Sequence, residues 1–555
     1  MADLLKHIFL KPIQLADQII KFSDEVIYNK QECSELKSKT EKLAGLLRQV
    51  ARASNDLYES PTRRIIDDTE QVLEKVLALV LKCRNNGIVK RVFIIIPAVA
   101  FRKMTSQLEN SFGDVSWLLR ISALIDSTDE YLGLPPNAAN EPILCLIWEQ
   151  IAIFYTGTLD DRSDAAAALV SLARDGDRYG RMIIEEGGVI PLLKFAQEGQ
   201  PEGQENAAIA IGLLGRDPES VEHIIHAGVC SVFEKMLKES VMKVQAAVAW
   251  AIGELVAHYP KCQDLFAQHD IVQLLVGHLA FETVEERSSS LSLSANGLHK
   301  GRAETKAYMK SMAARALRYL AKENPAICRS ITESQALLCF AVLLEKGAEE
   351  VRYHSAMAVM EITNAAEQDA DLRRAAFMPN SPACKALIEQ LLQIIEKADS
   401  ELLFPCVRAI GNLAKNFRAT ESRTIQLLVQ LLDEPEAEVS KEAVNALTRF
   451  ACTENYLHLD HSKAIISAGG AKHLMQLVYF GEQMVQTPAL ILLCYIALHV
   501  AESVDLAQVD VLSVFEWASA TRQSHLIQSE KVEMLFQDAK SRLGLFQSRG
   551  SMGFH

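Results

Sequence analysis

The chain has 555 residues, of which 49% are hydrophobic and only 6% aromatic. This length allows several ordinary domains, or one long repeat array with an extra module. Ala and Leu supply most of the apolar content, which favours helices over strands. The formal net charge of −14 argues against a dedicated nucleic-acid-binding protein. The acidic excess lies after residue 130, because the first 130 residues are almost neutral.

The 11 cysteines are scattered along the chain, and none forms a Cys-x-x-Cys pair. This pattern is typical of reduced core thiols in an intracellular protein. The first residues do not resemble a secretory signal, and the longest apolar run, Val92–Phe101, is about half the length that spans a bilayer. We therefore expect a cytoplasmic protein that can still touch a membrane surface.

Four long amphipathic stretches fill the first 130 residues. Apolar residues recur at helical spacings of three, four and seven, as in Leu36, Leu43 and Leu47. Short connections between such helices produce an up-down bundle. We predict a four-helix bundle over residues 1–132, with helices near residues 4–29, 31–55, 62–84 and 88–124.

A linker and a capping helix are predicted over residues 133–160, after which the chain repeats itself. Gly188 and Gly228 lie in similar stretches 40 residues apart, and Gly212 and Gly253 lie in a second recurring stretch. A helical period near 40 is typical of armadillo and HEAT repeats. Such a glycine lets one helix approach another closely, or permits a left-handed turn between helices.

The residue just after the recurring glycine defines a column with one member in each unit. Two long steps in this column contain loop-like sequence, including a polar insert at 283–304. We predict repeats over residues 161–540, with a degenerate cap at 141–160 and a flexible tail at 541–555. The predicted fold class is all-α, with an N-terminal helical bundle followed by a right-handed armadillo-repeat superhelix of about eight to nine repeats. The column reads Ser171, Leu213, Glu254, Tyr319, Glu361, Asn412, Arg449 and Tyr495.

Signatures of catalysis are missing from the sequence. It has no phosphate-binding loop, no Gly-x-Ser-x-Gly and no zinc-ligand spacing. We therefore expect no enzyme activity, no cofactor, no metal site, no small-molecule substrate and no nucleic acid. A protein-binding role remains.

The third helix of each armadillo unit lines the inner groove, so the column predicts partner-binding residues. In importin-type proteins a Trp and an Asn four residues later grip a peptide backbone. Here Trp250 is followed by Glu254, and Asn412 is preceded by Arg408, so that pair is broken. The mixed column suits a folded partner, although each residue could instead serve packing. The candidates are Trp250, Glu254, Tyr319, Glu361, Arg408, Asn412 and Arg449.

Basic residues flank the apolar run Val92–Phe101 in the bundle. Near an anionic membrane each is worth about 1 kcal/mol. The alternative is a buried fourth helix with charged ends. The lipid-binding candidates are Lys82, Arg84, Lys90, Arg91, Arg102 and Lys103.

Several stretches inside and outside the repeats resemble the Armadillo Repeat Only proteins of land plants. They include Pro12-Ile-Gln-Leu-Ala-Asp17, Leu36-Lys-Ser-Lys-Thr-Glu-Lys-Leu43, Pro61-Thr-Arg-Arg-Ile-Ile-Asp-Asp-Thr-Glu70, Ile143-Leu-Cys-Leu-Ile-Trp148, Pro201-Glu-Gly-Gln-Glu-Asn206 and Gly215-Arg-Asp-Pro-Glu-Ser-Val-Glu222.

The resemblance implies a non-enzymatic scaffold at the plasma membrane that binds plant Rho-type GTPases and their GTPase-activating proteins during polarised (tip) growth. It also implies a bundle similar to the membrane-active bundles of plant immune proteins. We expect a cytoplasmic and peripheral plasma-membrane location, with the nucleus as an alternative compartment. The alternative functions are an importin-like cargo receptor and a membrane-perturbing bundle gated by the repeats.

Overall fold

The computed structural model describes residues 2–52, 59–84, 96–123, 142–280, 296–520, 526–527 and 529–551. Within these ranges every regular element is a helix, and no strand occurs. The predicted fold class, a helical bundle followed by armadillo repeats, is confirmed.

Four helices form the N-terminal bundle: α1 (Ala2–Ser23), α2 (Lys30–Arg52), α3 (Glu59–Arg84) and α4 (Ala98–Ala123). Helix α1 packs against α2 and α3, and α4 packs against the same two helices. The core between them is apolar and includes Phe9, Leu36, Leu47, Val76 and Leu108.

One predicted end in the bundle needs correction. The first helix ends at Ser23 rather than near residue 29, and Asn29 takes a left-handed conformation with φ of 51° just before α2. Helix α4 begins at Ala98, just after Pro97. The start predicted near residue 88 lies outside the described residues, which omit 85–95.

The chain divides into two compact units, residues 1–236 and residues 237–555. The predicted boundary at 132/133 falls in a segment that the structure does not describe. The first unit contains the bundle and the first repeats. Its repeat helices are α5 (Pro142–Thr156), α6 (Leu159–Asp175), α7 (Asp177–Glu185), α8 (Val189–Glu198), α9 (Pro201–Leu214) and α10 (Pro218–His226), and α11 (Val229–Glu239) begins in it.

The second unit continues the pattern of two shorter helices followed by a longer third helix. Its first helices are α12 (Met242–His258), α13 (Gln263–Ala267), α14 (Ile271–Ala280), α15 (Asn296–Ala321), α16 (Pro325–Glu333), α17 (Ala336–Lys346), α18 (Glu349–Gln368), α19 (Ala370–Ala376) and α20 (Pro382–Glu396). They are followed by α21 (Ser400–Asn412), α22 (Ser422–Gln430), α23 (Ala437–Ala451), α24 (His458–Ser467), α25 (Gly470–Phe480), α26 (Gln483–His499), α27 (Val504–Gln508), α28 (Val511–Ala520) and α29 (Glu530–Ser551).

The third helices pack on one another in sequence, which is the stacking of an armadillo array. In the first unit α6 packs on α9. In the second unit each third helix packs on the next, in the order α12, α15, α18, α21, α23, α26 and α29. We call the surface formed by these helices in the second unit the third-helix face.

The last repeat, which ends with helix α29, extends beyond the limit predicted at residue 540. The tail predicted from residue 541 is helical to Ser551, because Phe536, Ala539 and Leu543 are buried along one side of the helix. The cap predicted at 141–160 contains only α5 and the start of α6. The polar insert predicted at 283–304 is helical from Asn296 onward, as the first part of α15.

The recurring glycines serve both purposes expected of them. Gly228 has φ of 95° in the turn between α10 and α11, where a side chain would be strained. Gly411 lies where α21 meets α23, and a Cβ there would lie 2.8 Å from Cβ of Ala446. Glycine thus allows the two third helices to pack closely.

Candidate protein-binding face

The predicted groove candidates all lie on third helices of the second unit. Trp250 and Glu254 are on α12, Tyr319 on α15 and Glu361 on α18. Arg408 and Asn412 are on α21, and Arg449 is on α23. All are half-buried except Asn412, which is 2% exposed.

Glu254 is engaged by a cation on the next third helix. An Nη atom of Arg315 lies 2.5 Å from a carboxylate oxygen of Glu254, and both side chains are largely buried. The same guanidinium lies 5.3 Å from the ring centre of Tyr319. The position that holds Asn in importin-type grooves is therefore used here to join α12 to α15.

A cluster of cations surrounds Glu361 on α18. Burial raises the pKa of the Glu361 carboxyl, while Arg318, Lys322 and Arg408 act in the opposite direction. Arg318 also lies 5.2 Å from the ring centre of Tyr319. We call Arg318, Lys322 and Arg408 the basic patch. They lie beside the carboxylates of Glu361 and Glu323, and Arg408 also lies 3.9 Å from Glu442.

Arginines of this face also lower the pKa of a neighbouring histidine, His354. Burial, with Arg315 and Arg318 nearby, lowers the pKa of His354 to about 4. The imidazole is therefore neutral at neutral pH, and its ring lies 5.3 Å from that of Tyr353 in an edge-on arrangement. The centre of the face thus combines arginines with aromatic rings.

Arg449 and Glu442 connect three further third helices. Nε of Arg449 donates to Oε1 of Glu367 at 2.9 Å, which joins α23 to α18. Oε1 of Glu442 lies 3.6 Å from Nη1 of Arg449 and 3.9 Å from Nε of Arg408. Glu442 is 6% exposed, so this carboxylate is held among cations inside the repeat stack.

Asn412 fills the space beside this group. Its amide nitrogen donates to Oε2 of Glu367 at 3.1 Å, and its amide oxygen accepts from the backbone N–H of Asn364 at 3.1 Å. Being buried, Asn412 supports the packing of α21 on α18. We call the linked charged residues of this face the charge ladder: Glu254, Arg315, Arg318, Glu361, Glu367, Arg408, Glu442 and Arg449.

Four members of the charge ladder were not predicted from the sequence, namely Arg315, Arg318, Glu367 and Glu442. Arg315 stands four residues before Tyr319, as Trp250 does before Glu254. Glu442 stands seven residues before Arg449, on the same helical face. Inspecting the residues four and seven positions before each column residue would therefore find Arg315 and Glu442. No pattern in the sequence indicates the long-range interaction between Glu367 and Arg449.

The lipid-binding candidates fall into three groups. Lys82, Arg102 and Lys103 are exposed. Arg84 is engaged within the bundle, since an Nη atom lies 2.7 Å from a carboxylate oxygen of Glu25 and its guanidinium lies over the ring of Phe22. Lys90 and Arg91 lie outside the described residues.

Exposed apolar side chains lie close to these cations in sequence, in the turn after α1, near the end of α3 and at the start of α4. The N–H of Ile27, between α1 and α2, donates to the carbonyl of Cys83 near the end of α3, which places these segments together. Ile27 is 43% exposed, Leu81 38% and Val99 66%. We call Ile27, Leu81 and Val99, with the exposed cations Lys82, Arg102 and Lys103, the bundle end.

Metal-binding clusters and single membrane-spanning helices are both absent from the described residues. No group of three His, Cys, Asp or Glu side chains in this part is arranged to hold a metal ion. No single helix there is long and apolar enough to cross a membrane; α16 and α17 reach that composition only as a pair bent by 80°.

Comparisons with known proteins separate the bundle from the repeats. A family model described as a domain of unknown function, DUF7792, matches residues 6–123, the segment of α1 to α4. The Arabidopsis thaliana protein named CELLULOSE SYNTHASE INTERACTIVE 2 is 26% identical over 156 residues, which are 27% of this chain and 7% of that protein. The chain therefore spans only a small part of that relative.

Among solved structures, an engineered protein is similar with a TM-score of 0.48 and 21% identity, covering 72% of this chain and 99% of that one. A designed armadillo repeat protein in complex with the peptide (KR)4 is similar with a TM-score of 0.36 and 19% identity, covering 47% and 99%. The armadillo assignment made above stands on the helix triplets themselves.

Proposed function

We propose that this protein is a non-enzymatic scaffold that holds a folded partner protein against the third-helix face, with the basic patch at the centre of the contact. The observation that carries the proposal is the cluster of Arg318, Lys322 and Arg408 around Glu361, next to Tyr319. Arginine and tyrosine are the residue types that dominate binding energy at protein interfaces. A partner with an acidic surface fits this patch.

The charge ladder argues for a folded partner over a basic peptide. A classical import peptide needs an unoccupied acidic groove and repeated Asn side chains. Here Glu254 and Glu367 already hold arginines at 2.5 and 2.9 Å, and Asn412 is buried. Displacing these internal pairs would cost more than an extended basic peptide returns.

The specific partners that we propose are plant Rho-type GTPases and their GTPase-activating proteins. The support is the resemblance to Armadillo Repeat Only proteins, together with a non-catalytic repeat array fused to a bundle. The scaffold would bring a GTPase and its regulator together at sites of polarised growth.

A binding titration tests this assignment. The full chain is titrated with Rho-type GTPases loaded with GDP or with a GTP analogue. We expect saturable binding, and the double variant Arg318→Glu with Arg408→Glu weakens it about tenfold or more, because reversed charges at an interface repel an acidic partner.

The matched control is Lys385→Glu on the second helix α20, an exposed cation away from the third-helix face. It should leave the affinity unchanged. Equal affinities of the parent chain and the double variant would place the GTPase elsewhere, and an absence of binding in both nucleotide states would remove the GTPase as a direct partner.

We also propose that the bundle end docks on an anionic membrane. Its apolar side chains Ile27, Leu81 and Val99 can enter the headgroup region, while the exposed cations meet lipid phosphates. The peripheral plasma-membrane location expected from the resemblance would follow from this contact.

Liposome co-sedimentation of the full chain tests the membrane proposal. Phosphatidylserine vesicles should retain the parent chain, and Arg102→Glu with Lys103→Glu should release most of it. Lys42→Glu, an exposed change in the middle of α2, is the control. Leakage of an encapsulated dye would favour a membrane-perturbing bundle over docking, and equal retention of all variants would rule out the bundle end as the contact.

A further inference from the structure

A cleft opens between the bundle and the first repeat of the first unit. It has a volume of about 410 Å³, within the range of small-molecule sites. We call it the junction cleft. Its lining consists of Arg64 from α3, Leu144 from α5, and Arg178, Arg181, Met182, Glu185 and Glu186 from α7 and its C-terminal end.

One wall of the junction cleft is a fixed polar cluster. The indole N–H of Trp148 donates to Oε2 of Glu186 at 2.9 Å, and Arg64 lies 3.8 Å from Oε1 of the same carboxylate. Arg64 also lies 5.7 Å from the ring centre of Trp148, which packs on Trp117 of the bundle at 6.2 Å. Glu186 is 7% exposed, and its carboxylate already interacts with Trp148 and Arg64.

Helix α7, which ends just before Glu186, also supplies two arginines to the lining of the cleft. Arg178 and Arg181 are one helical turn apart on α7, and both are exposed. They line the cleft together with Arg64. Three guanidinium groups from two elements of the fold thus converge on one concave space, against the exposed carboxylate of Glu185 and the committed carboxylate of Glu186.

We propose that the junction cleft binds a phosphate ester. The planar guanidinium fork matches phosphate oxygens bidentately, and a doubly charged phosphate with three terminal oxygens can accept bonds from more than one arginine at once. Arg64 already lies beside Glu186, and Arg181 acts on the carboxylate of Asp217, so the ligand adds phosphate oxygens to arginines that are partly neutralised. The source of the phosphate is a soluble phosphorylated small molecule or the headgroup of a phosphorylated lipid.

Calorimetric titration of the full chain with inositol hexakisphosphate tests the site directly. We expect saturable binding, and Arg178→Gln with Arg181→Gln should weaken it about tenfold or more, since each charge-assisted hydrogen bond contributes roughly that factor. Glu185→Gln should tighten binding, because it removes a repelling carboxylate from the lining. Both arginines are exposed, so unchanged thermal unfolding of the variant would show that the loss is local.

The matched control is Arg174→Gln on α6, an exposed arginine outside the lining, which should bind as the parent chain does. Phosphatidylcholine vesicles with and without phosphatidylinositol bisphosphate distinguish the sources. Parallel loss of vesicle binding in the double arginine variant identifies a lipid headgroup, and loss with the soluble probe alone identifies a soluble ligand. The proposal is overturned if neither probe binds, or if the double variant binds both as well as the parent chain.

Discussion

Two buried glutamates show how differently this chain handles charge in its two units. Glu186, at the junction between bundle and repeats, receives a hydrogen bond from the indole of Trp148 at 2.9 Å. Glu442, inside the repeat stack, has an Oε1 atom without a hydrogen bond and relies on Arg449 at 3.6 Å and Arg408 at 3.9 Å. The side chains are about equally exposed, at 9% and 8%.

The two carboxylates differ in the kind of side chain that interacts with them. The junction uses an aromatic donor that is itself packed, so the geometry around Glu186 is rigid. The charge ladder uses long arginines that reach across several third helices. Its arrangement therefore depends on how closely those helices pack, and a change in helix spacing should disturb Glu442 before it disturbs Glu186.

The largest expected effect is at Gly411, where α21 meets α23. Gly411→Val places carbon atoms where Cα of Ala446 lies 2.9 Å and Nη1 of Arg449 lies 3.4 Å from an added Cβ. The helices must separate, which should destabilise the second unit by about 3 kcal/mol. Urea unfolding measures this loss.

Gly277→Val in α14 is the matched control, because a Cβ there meets nothing within 4 Å. It should change stability by less than about 0.5 kcal/mol. Equal losses at the two glycines would mean that close packing of α21 on α23 does not support the charge ladder.

The second prediction removes the nearest cation from Glu442. Arg449→Met keeps most of the side-chain volume but leaves the buried carboxylate with Arg408 alone. We expect a loss of about 2 kcal/mol, less than for a fully buried pair, since Arg449 is 26% exposed. Thermal unfolding measures the loss.

Arg423→Met is the control for that change, because Arg423 pairs with Glu389 and Glu396 at an exposed position. Its effect should be about 0.5 kcal/mol. A loss at Arg423 as large as that at Arg449 would contradict the distinction between the ladder and ordinary surface pairs.

The third prediction concerns the junction. Trp148→Phe keeps the aromatic packing on Trp117 but removes the donor to Glu186, and we expect the first unit to lose about 1 kcal/mol. Differential scanning calorimetry checks this, with Trp250→Phe on the third-helix face as the control. An unchanged unfolding temperature of the first unit would mean that Arg64 alone is enough to stabilise the Glu186 carboxylate.

The fourth prediction is a pH dependence that arises at His354, beside the charge ladder. Burial and the nearby arginines hold the pKa of His354 at about 4 in the folded chain, below its ordinary value of 6.5. The unfolded chain therefore takes up the proton first as the pH falls, so the second unit loses stability between about pH 6.5 and 4.

His354→Gln should reduce that loss when unfolding midpoints are compared over the same range, while His499, whose pKa burial also lowers to about 4, keeps its share. His258→Gln, at an exposed position of α12, should follow the parent chain. Identical pH profiles for all three chains would remove His354 as the cause.

The sequence predicts the helical repeats well because their physical cause is local. Apolar spacing, glycine recurrence and a period near 40 are all visible in a single chain. The eight predicted column residues lie on successive third helices, from Ser171 on α6 to Tyr495 on α26. The C-terminal unit was missed because α29 lacks the recurring glycine stretch, although Phe536 and Leu543 bury one side of it.

The candidate site was less predictable, because pairing across repeats depends on distance in space. Asn412 and Arg449 were predicted to bind a partner. In the structure Asn412 is buried beside Thr363, and Arg449, 26% exposed, donates to Glu367 on α18. The interaction between Arg449 and Glu367 spans 82 residues of sequence. Composition and periodicity carry no information on such a pair, nor on the convergence of Arg64 and Arg178 in the junction cleft.

The measurement that tests the central proposal most directly is hydroxyl-radical footprinting of the full chain with and without a Rho-type GTPase in each nucleotide state. We expect reduced oxidation of Tyr319 and Tyr353 beside the basic patch. Tyr456, 97% exposed in the loop after α23, should keep its oxidation. Unchanged oxidation of Tyr319 and Tyr353 in a sample where the GTPase is bound would contradict the assignment of the third-helix face as the binding surface.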